Sequence, residues 1–194
     1  MENDKKTVYL GLNDIKTVLN IIPDSFVRDK AIIQTLYKTG IRVYELINLK
    51  KKDLDLSSDE KIIPIKITGK HQRTVFIDSE TLNLINLMLE NRKKESDFLF
   101  IAGTGNKLSN NTINKMFKRY AIATDESIGN ESFFKDFFTA NALKQSFINH
   151  MLNTADFTVE EVKKLVGQES LGIKKQIGNV GSNDLKNKYE SVVW

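Results

Sequence analysis

The sequence predicts a mainly α-helical domain with one small antiparallel β-sheet, an α+β fold. Apolar residues recur every three or four positions over most of the chain, which is typical of amphipathic helices. Between Lys61 and Ile77 the pattern changes to an alternation of apolar and polar residues, in two short segments on either side of a turn. Because no repeat or low-complexity tract divides the pattern, we expect residues 1–194 to form a single domain.

The composition favours some classes of function and excludes others. With 29 basic and 25 acidic residues the chain has a formal net charge of +4, a balance that permits binding to nucleic acid. It contains no cysteine, which excludes disulfides, a thiol nucleophile and a zinc site built on cysteine. Its two histidines accompany no carboxylate motif, so we expect neither a metal site nor a cofactor. No apolar run approaches the roughly 20 residues that span a bilayer. The N-terminus also lacks the apolar centre of a signal peptide, so we expect a cytoplasmic protein with no membrane partner.

The first part of the chain predicts three helices. The first covers Asn13 to Asn20, with Asn13 as its cap, and Pro23 closes it. The second begins near Ser25 and ends at Gly40, a residue type that commonly terminates helices. The third is short and directs three apolar side chains inward, those of Val43, Leu46 and Ile47.

A β-hairpin follows these helices. The segment from Lys61 to Thr68 has apolar residues at positions 63, 65 and 67, and Pro64 predicts that it is an edge strand. Residues 69–72 read as a turn, and Arg73 to Ile77 form the returning strand.

Helices resume after the hairpin. The spacing of apolar residues predicts helices over Asp78–Glu90, Ser109–Ala123 and Ala140–Leu152, and residues 125–132 read as a polar connection. A capping box predicts one more helix, from Thr158 to Gly167.

One stretch carries the most functional information, Thr39 to Leu46, with the sequence TGIRVYEL. It places Arg42 at the start of a helix, where N–H groups attract anions and a guanidinium can grip a phosphate with two parallel hydrogen bonds. By itself such an arginine is usually a surface residue. Three further blocks follow it in the chain: KITGKHQRTVFI at 66–77, TANALKQSFINHML at 139–152 and VKKLVGQESLGIKKQIGNV at 162–180.

In this order and spacing, the four blocks resemble the catalytic domain of the tyrosine recombinase family, which includes phage integrases and Xer-like proteins. They cover nearly the whole chain. The resemblance implies the fold of that catalytic domain, double-stranded DNA as the partner, and a function in the DNA recombination and integration of a mobile element. It assigns Arg42 to the first catalytic arginine of the family and Lys70 to the lysine of its hairpin.

Several catalytic positions depart from the family pattern. Asn141 replaces the first histidine, Lys144 the second arginine, Gln145 the histidine beside that arginine, and Gln168 the histidine that follows Gly167. A lysine keeps the positive charge of arginine but not its planar fork. Asparagine and glutamine donate hydrogen bonds to a phosphate but do not transfer protons near neutral pH. The replacements therefore indicate a degenerate active site that still contacts phosphate.

The nucleophile departs from the family pattern as well. The tyrosine of the family attacks the phosphodiester and forms a covalent link to DNA, but its position falls on Ile177, or on Gly178 after a shift of one residue. We therefore interpret the chain as a DNA-binding member of this family that does not cleave the strand. The residues that we assign to phosphate binding are Arg42, Lys70, Asn141, Lys144, Gln145 and Gln168.

Tyr189 leaves an alternative open, a divergent but active recombinase. It lies on the last predicted helix, Ser182 to Val193, and the link GNVGSN before this helix could deliver it to the site as the nucleophile, with Lys70 as general acid. Helical spacing favours packing instead, because one stripe of this helix carries Leu185, Tyr189 and Val192.

The segment 182–194 also bears on assembly. In the family the C-terminal helix often docks onto a neighbouring protomer. An apolar stripe on a terminal helix more often packs on its own domain, so we rank docking in cis first. Exchange within a homo-oligomer, or with an active recombinase, ranks second. A third hypothesis for the function follows, a protein that docks this helix onto an active recombinase and modulates it.

The family also has an N-terminal core-binding domain, which clamps the opposite side of the duplex. We expect this domain to be absent, because the resemblance to the catalytic domain begins near the start of the chain. Without the core-binding domain the protein would contact one side of the duplex, so we expect weak, salt-sensitive DNA binding.

Overall fold

The chain folds into nine α-helices and one β-hairpin within the residues that the structure describes, which are 9–169, 171, 182–192 and 194. The structure is a computed structural model. In chain order its elements are α1 (Leu12–Ile21), α2 (Val27–Thr39), α3 (Val43–Leu46), β1 (Ile62–Ile67), β2 (Arg73–Asp78), α4 (Ser79–Glu90), α5 (Asn110–Ile128), α6 (Phe133–Phe137), α7 (Ala140–Asn153), α8 (Val159–Val166) and α9 (Ser182–Glu190). This mainly helical architecture with one small antiparallel sheet confirms the predicted fold class. Over the same described residues, no helix is both long and apolar enough to cross a membrane.

Helix α2 lies at the centre of the core. Every side chain from Ala31 to Thr39 is buried. A helix that is buried all round needs neighbours on every side, and α2 contacts α3, α4, α7 and β2. These contacts hold the end of α2 in place, and the chain continues from there into α3.

The start of α1 differs from the prediction. The helix begins after Gly11 rather than at Asn13, because the carboxylate of Asp14 accepts the N–H of Gly11 at 2.8 Å. Asn13 lies inside the first turn, and its carbonyl accepts the hydroxyl of Thr17 at 2.8 Å. The helix is thus capped by the carboxylate of Asp14, which accepts the backbone N–H of Gly11, and not by the side chain of Asn13.

Residues 125–132 do not form a polar connection throughout, because α5 continues to Ile128 and the unpredicted helix α6 follows. Asp125 explains the difference. Its buried carboxylate accepts the N–H groups of Phe134 and Lys135 at 2.9 and 2.8 Å. An acidic residue that reads as part of a loop therefore caps the next helix from within the core.

The predicted hairpin is confirmed, with Ile63 opposite Ile77 and Ile65 opposite Val75. All four of these side chains are fully buried, whereas Pro64 is exposed. The nitrogen of a proline cannot donate to a sheet, so its place on β1 is tolerated because this sheet has two strands. The buried face of the hairpin packs on α2 and α4.

Helix α9 packs against β1 and β2 of the same chain. Leu185 and Tyr189 are buried, as the predicted stripe requires. The ring of Trp194 stacks on that of His150, with ring centroids 5.1 Å apart. The segment is therefore docked in cis in this structure. Three ion pairs support this docking, Lys61 with Glu190 at 3.7 Å, Lys186 with Glu60, and Lys188 with Glu161 at 2.9 Å.

Replacing Gly40 by alanine should destabilise the fold more than the same change at Gly129. Both glycines follow a helix with a left-handed backbone, φ 62° and 69°, where a Cβ costs about 1–2 kcal/mol. A Cβ at Gly40 would also lie 2.5 Å from the ring of Phe147, whereas at Gly129 it would meet nothing within 4 Å. Overpacking of this kind costs about 1–3 kcal/mol more. Urea denaturation measures both free energies of unfolding, and equal losses would contradict the close packing of α2 on α7.

Candidate functional site

The turn between α2 and α3 positions Arg42. The left-handed backbone of Gly40 reverses the chain after α2, and Arg42 then has an extended backbone as the N-cap of α3. Its Nη1 atom is buried and has no hydrogen-bond acceptor among the described residues, although Glu45 Oε1 lies 3.8 Å away. A buried donor without an acceptor is costly. This geometry therefore indicates an acceptor other than the described residues.

Glu45 is the carboxylate at the centre of the site, with 2% of its side chain exposed. Its Oε2 accepts the backbone N–H of Arg42 at 2.7 Å. Its two oxygens accept two parallel hydrogen bonds from the guanidinium of Arg73, at 2.6 and 3.0 Å. Burial alone would raise the pKa of Glu45, but the hydrogen bonds from Arg73 and Arg42 outweigh it and lower the pKa below its ordinary value. Glu45 is therefore held as a charged carboxylate.

Arg73 is a site residue that sequence analysis missed. Besides its two bonds to Glu45, it donates from Nε to the carbonyl of Leu165 at 2.6 Å and from Nη1 to that of His71 at 2.9 Å. It thus ties the hairpin to α3 and to the end of α8. One signal could have found it: Arg73 is in register with the buried residues Val75 and Ile77, so it lies on the inner face of β2 and needs a partner there.

Lys144 lies on α7 and is 5% exposed. Its ammonium donates one long hydrogen bond, to the carbonyl of Val166 at 3.4 Å. Burial, together with the charges of Arg42 and Arg73 and against the opposing charge of Glu45, lowers the pKa of Lys144 to about 8. The lysine is therefore a buried cation with little compensation.

Gln168 follows the left-handed residue Gly167 at the end of α8. A Cβ at Gly167 would lie 2.8 Å from Nη1 of Arg73, so glycine is required for space as well as for backbone conformation. The Oε1 atom of Gln168 is buried without a hydrogen-bond donor in the described part of the chain. With Arg73 it lines a cleft of about 630 Å³ between β2 and α8.

Arg42, Glu45, Arg73 and Lys144 form a group that we call the basic cluster. It contains three cations and one carboxylate, and both oxygens of that carboxylate already accept hydrogen bonds from Arg73. An excess of positive charge in a poorly solvated site favours a bound anion. Across the described residues, no group of His, Asp and Glu side chains is placed to hold a metal ion. The chemistry that this arrangement offers is electrostatic.

The other assigned residues lie on α7 and in the hairpin turn. Asn141 is exposed and Gln145 half-buried on the first turns of α7. Lys70 is exposed at the hairpin turn, after Gly69. It lines a second cleft, of about 440 Å³, together with Glu45. Lys70 and Gln168 therefore line different clefts, and each cleft includes one member of the basic cluster, Glu45 or Arg73.

Tyr189 lies away from solvent, with 1% of the residue exposed. Its hydroxyl donates to the carbonyl of Lys38 at 2.7 Å, and its ring packs on that of Phe76. Burial raises the pKa of this hydroxyl well above its ordinary value, and the charge of Asp78 raises it further. The position that the resemblance assigns to the nucleophile, Ile177 or the next residue, lies outside the described residues.

The sequence matches the phage integrase family over residues 9–177. It is 30% identical over 166 residues to tyrosine recombinase XerA of Thermococcus kodakarensis, which covers 84% of this chain and 54% of that protein. It is also 30% identical over 184 residues to TnP I resolvase of Bacillus thuringiensis, which covers 91% of this chain and 59% of that protein. The chain thus spans little more than half the length of these relatives.

Two solved structures have a similar fold. The crystal structure of XerA recombinase matches with a TM-score of 0.71 and 21% identity, over 100% of this chain and 61% of that one. The Tn1549 transposon integrase in complex with a circular intermediate DNA matches with a TM-score of 0.73 and 20% identity, over 89% of this chain and 62% of that one. These matches confirm the fold that the four sequence blocks predict.

Replacing Arg73 by methionine should lower the free energy of unfolding by about 3–5 kcal/mol, because Glu45 would stay buried without its partner. Lys30→Met is the matched control, since it removes a cation from its 2.6 Å pair with the exposed residue Asp24. That change should cost less than about 1 kcal/mol. Urea denaturation measures both. A loss at Arg73 as small as the loss at Lys30 would show that Glu45 does not depend on this pair.

Proposed function

This chain belongs to the phage integrase family, and we propose on that premise that it binds the backbone of double-stranded DNA at the basic cluster without cutting the strand. The observation that carries the proposal is the unbalanced charge of the cluster. Within the described part of the chain, Arg42 has a buried N–H group without an acceptor, and Lys144 donates one long hydrogen bond. A phosphate oxygen would accept from both side chains and would supply the missing negative charge.

The comparisons support DNA as the source of that phosphate. The Tn1549 transposon integrase has the same fold, and its structure contains DNA. The exposed side chains of Lys70 and Asn141 can add contacts to neighbouring phosphates, and Gln145 and Gln168 can donate amide hydrogen bonds. Contacts of this kind position a protein on a duplex without reading its sequence.

The identity of the site residues supports binding without cleavage. Lys144 lacks the fork of donors that an arginine would direct at the phosphate, and Gln168 and Asn141 cannot transfer a proton near neutral pH. The hydroxyl of Tyr189 is buried and bonded to the backbone of α2, so in this conformation it has no access to DNA. The replaced site residues and the buried hydroxyl of Tyr189 together favour a binding protein over a divergent active recombinase.

The role that fits these properties is an accessory one. A protein that occupies DNA without cutting it can act beside an active recombinase during the recombination and integration of a mobile element in the cytoplasm. It can do so alone, as a homo-oligomer, or in an assembly with that recombinase. The cis docking of α9 favours DNA contact over exchange of this helix as the basis of the function.

Arg42→Ala should weaken binding to a mixed-sequence DNA duplex and make its log–log salt dependence shallower by about 0.9, the loss of one phosphate contact. Lys30→Ala is the control, because it removes the same charge from the first turn of α2 and should change neither quantity. Lys30 lies on the first turn of α2, about 14 Å along the helix axis from Thr39, the last residue before the turn that carries Arg42. Fluorescence anisotropy over a series of salt concentrations measures both variants. Equal binding by the two would favour the protein-docking hypothesis.

No covalent complex should form between the protein and DNA. Gel shifts on fragments of the source genome should show bands that disappear when SDS is added. A band that survives SDS would contradict binding without cleavage, and its loss in Tyr189→Phe would identify the nucleophile of the alternative hypothesis. Tyr44→Phe is the control, because this tyrosine lies on α3 beside the basic cluster and is 45% exposed.

A further inference from the structure

Lys144 is the cation of the basic cluster whose charge depends on its surroundings. An arginine keeps its proton at any pH that a protein tolerates, whereas a buried lysine can lose it. Lys144 is enclosed by α7 and the end of α8, and the hydrogen bond that it donates to the carbonyl of Val166 is a long one. Two of the three donors of its ammonium have no acceptor among the described residues. The protein's own groups therefore stabilise the charged form of Lys144 poorly.

The charges that face Lys144 are mostly positive. From α3 it faces Arg42 and Glu45, and from β2 it faces Arg73. Both oxygens of Glu45 accept hydrogen bonds from Arg73, so the negative charge of Glu45 only partly compensates the charge of Lys144. On α2, Lys38 is compensated by Asp78 at 2.6 Å and by Glu80 at 3.2 Å. On α8, the last turn carries two further cations, Lys163 and Lys164, and the first turn carries the carboxylates of Glu160 and Glu161.

We propose that Lys144 couples proton uptake to phosphate binding, so that the affinity of the basic cluster for DNA falls as the pH rises. The inference rests on the proposed function and adds a regulatory property to the same site. A phosphate beside the ammonium attracts its charge, whereas in the empty site Arg42 and Arg73 repel it. By linkage the effect is reciprocal: if bound phosphate strengthens the binding of the proton to Lys144, the protonated lysine binds phosphate more tightly by the same factor.

The direction and the pH window follow from the free protein, where burial and the neighbouring charges of Arg42 and Arg73 lower the pKa of Lys144 to about 8. Below that pH the lysine is charged with or without DNA, so affinity is independent of its titration. Above it the free protein loses the proton and the complex retains it. Affinity should then fall by about tenfold for each further pH unit, until the lysine of the complex also loses its proton. The phosphodiester of DNA does not titrate in this range.

The test is equilibrium binding to a mixed-sequence DNA duplex at constant salt, from about pH 7 to about pH 9.5, a range that spans the titration of this lysine. Wild-type affinity should be level at first and then fall. Lys144→Arg should bind with level affinity throughout, because its charge is fixed. Lys30→Arg, on the first turn of α2, should behave like the wild type. Calorimetry near pH 9 in two buffers of different ionisation enthalpy should find about one proton taken up by the wild type and none by Lys144→Arg.

The outcomes separate this inference from the proposed function. DNA binding with level affinity over the whole range, or a fall that Lys144→Arg shares, would overturn the inference and leave the proposed function intact. No binding at any pH would overturn both. If Lys144→Arg does not fold, as judged by circular dichroism, the proton count of the wild type still decides, since uptake of no proton near pH 9 excludes the coupling.

Discussion

Glu45 and Arg73 face each other from α3 and from the first residue of β2, with side chains that are 2% and 7% exposed. Two parallel hydrogen bonds join them, and further N–H groups of Arg73 reach the carbonyls of Leu165 at the end of α8 and His71 in the hairpin turn. A buried charge is tolerated when it is paired and hydrogen-bonded. This pair therefore fixes α3, the hairpin and α8 relative to one another, and the arrangement of the other cations depends on it.

The same pair leaves the site short of negative charge. Because both oxygens of Glu45 accept from Arg73, the carboxylate only partly neutralises Arg42 and Lys144. A site that neutralised its own cations would add more to stability, but it would have less need of an external anion. In the binding site that we propose, phosphate contact and a stable interior thus make opposite demands on the same few side chains.

Local signals predicted most of the fold, whereas the site depends on contacts between distant segments. The position of Arg42 follows from a glycine and a helix start that lie beside it in the sequence. The role of Arg73 could not be inferred in this way, because Glu45 and Leu165 lie 28 and 92 residues from it. Asp125 was misread for a similar reason, since the N–H groups that it caps belong to the next helix. Sequence pattern gave the type of each residue at the site, but burial and charge balance required the tertiary structure.

Helix α9 is attached by two kinds of interaction, partly exposed ion pairs and the buried side chains of Leu185 and Tyr189. Salt screens exposed charges over about 10 Å at 0.1 M, but sulfate strengthens apolar burial. Contacts to DNA phosphates weaken steeply with salt. With the DNA binding that we propose, concentrated sulfate should therefore elute the protein from a DNA column with α9 still in place. Recovery of the folded domain and removal of DNA would then be compatible in one purification step.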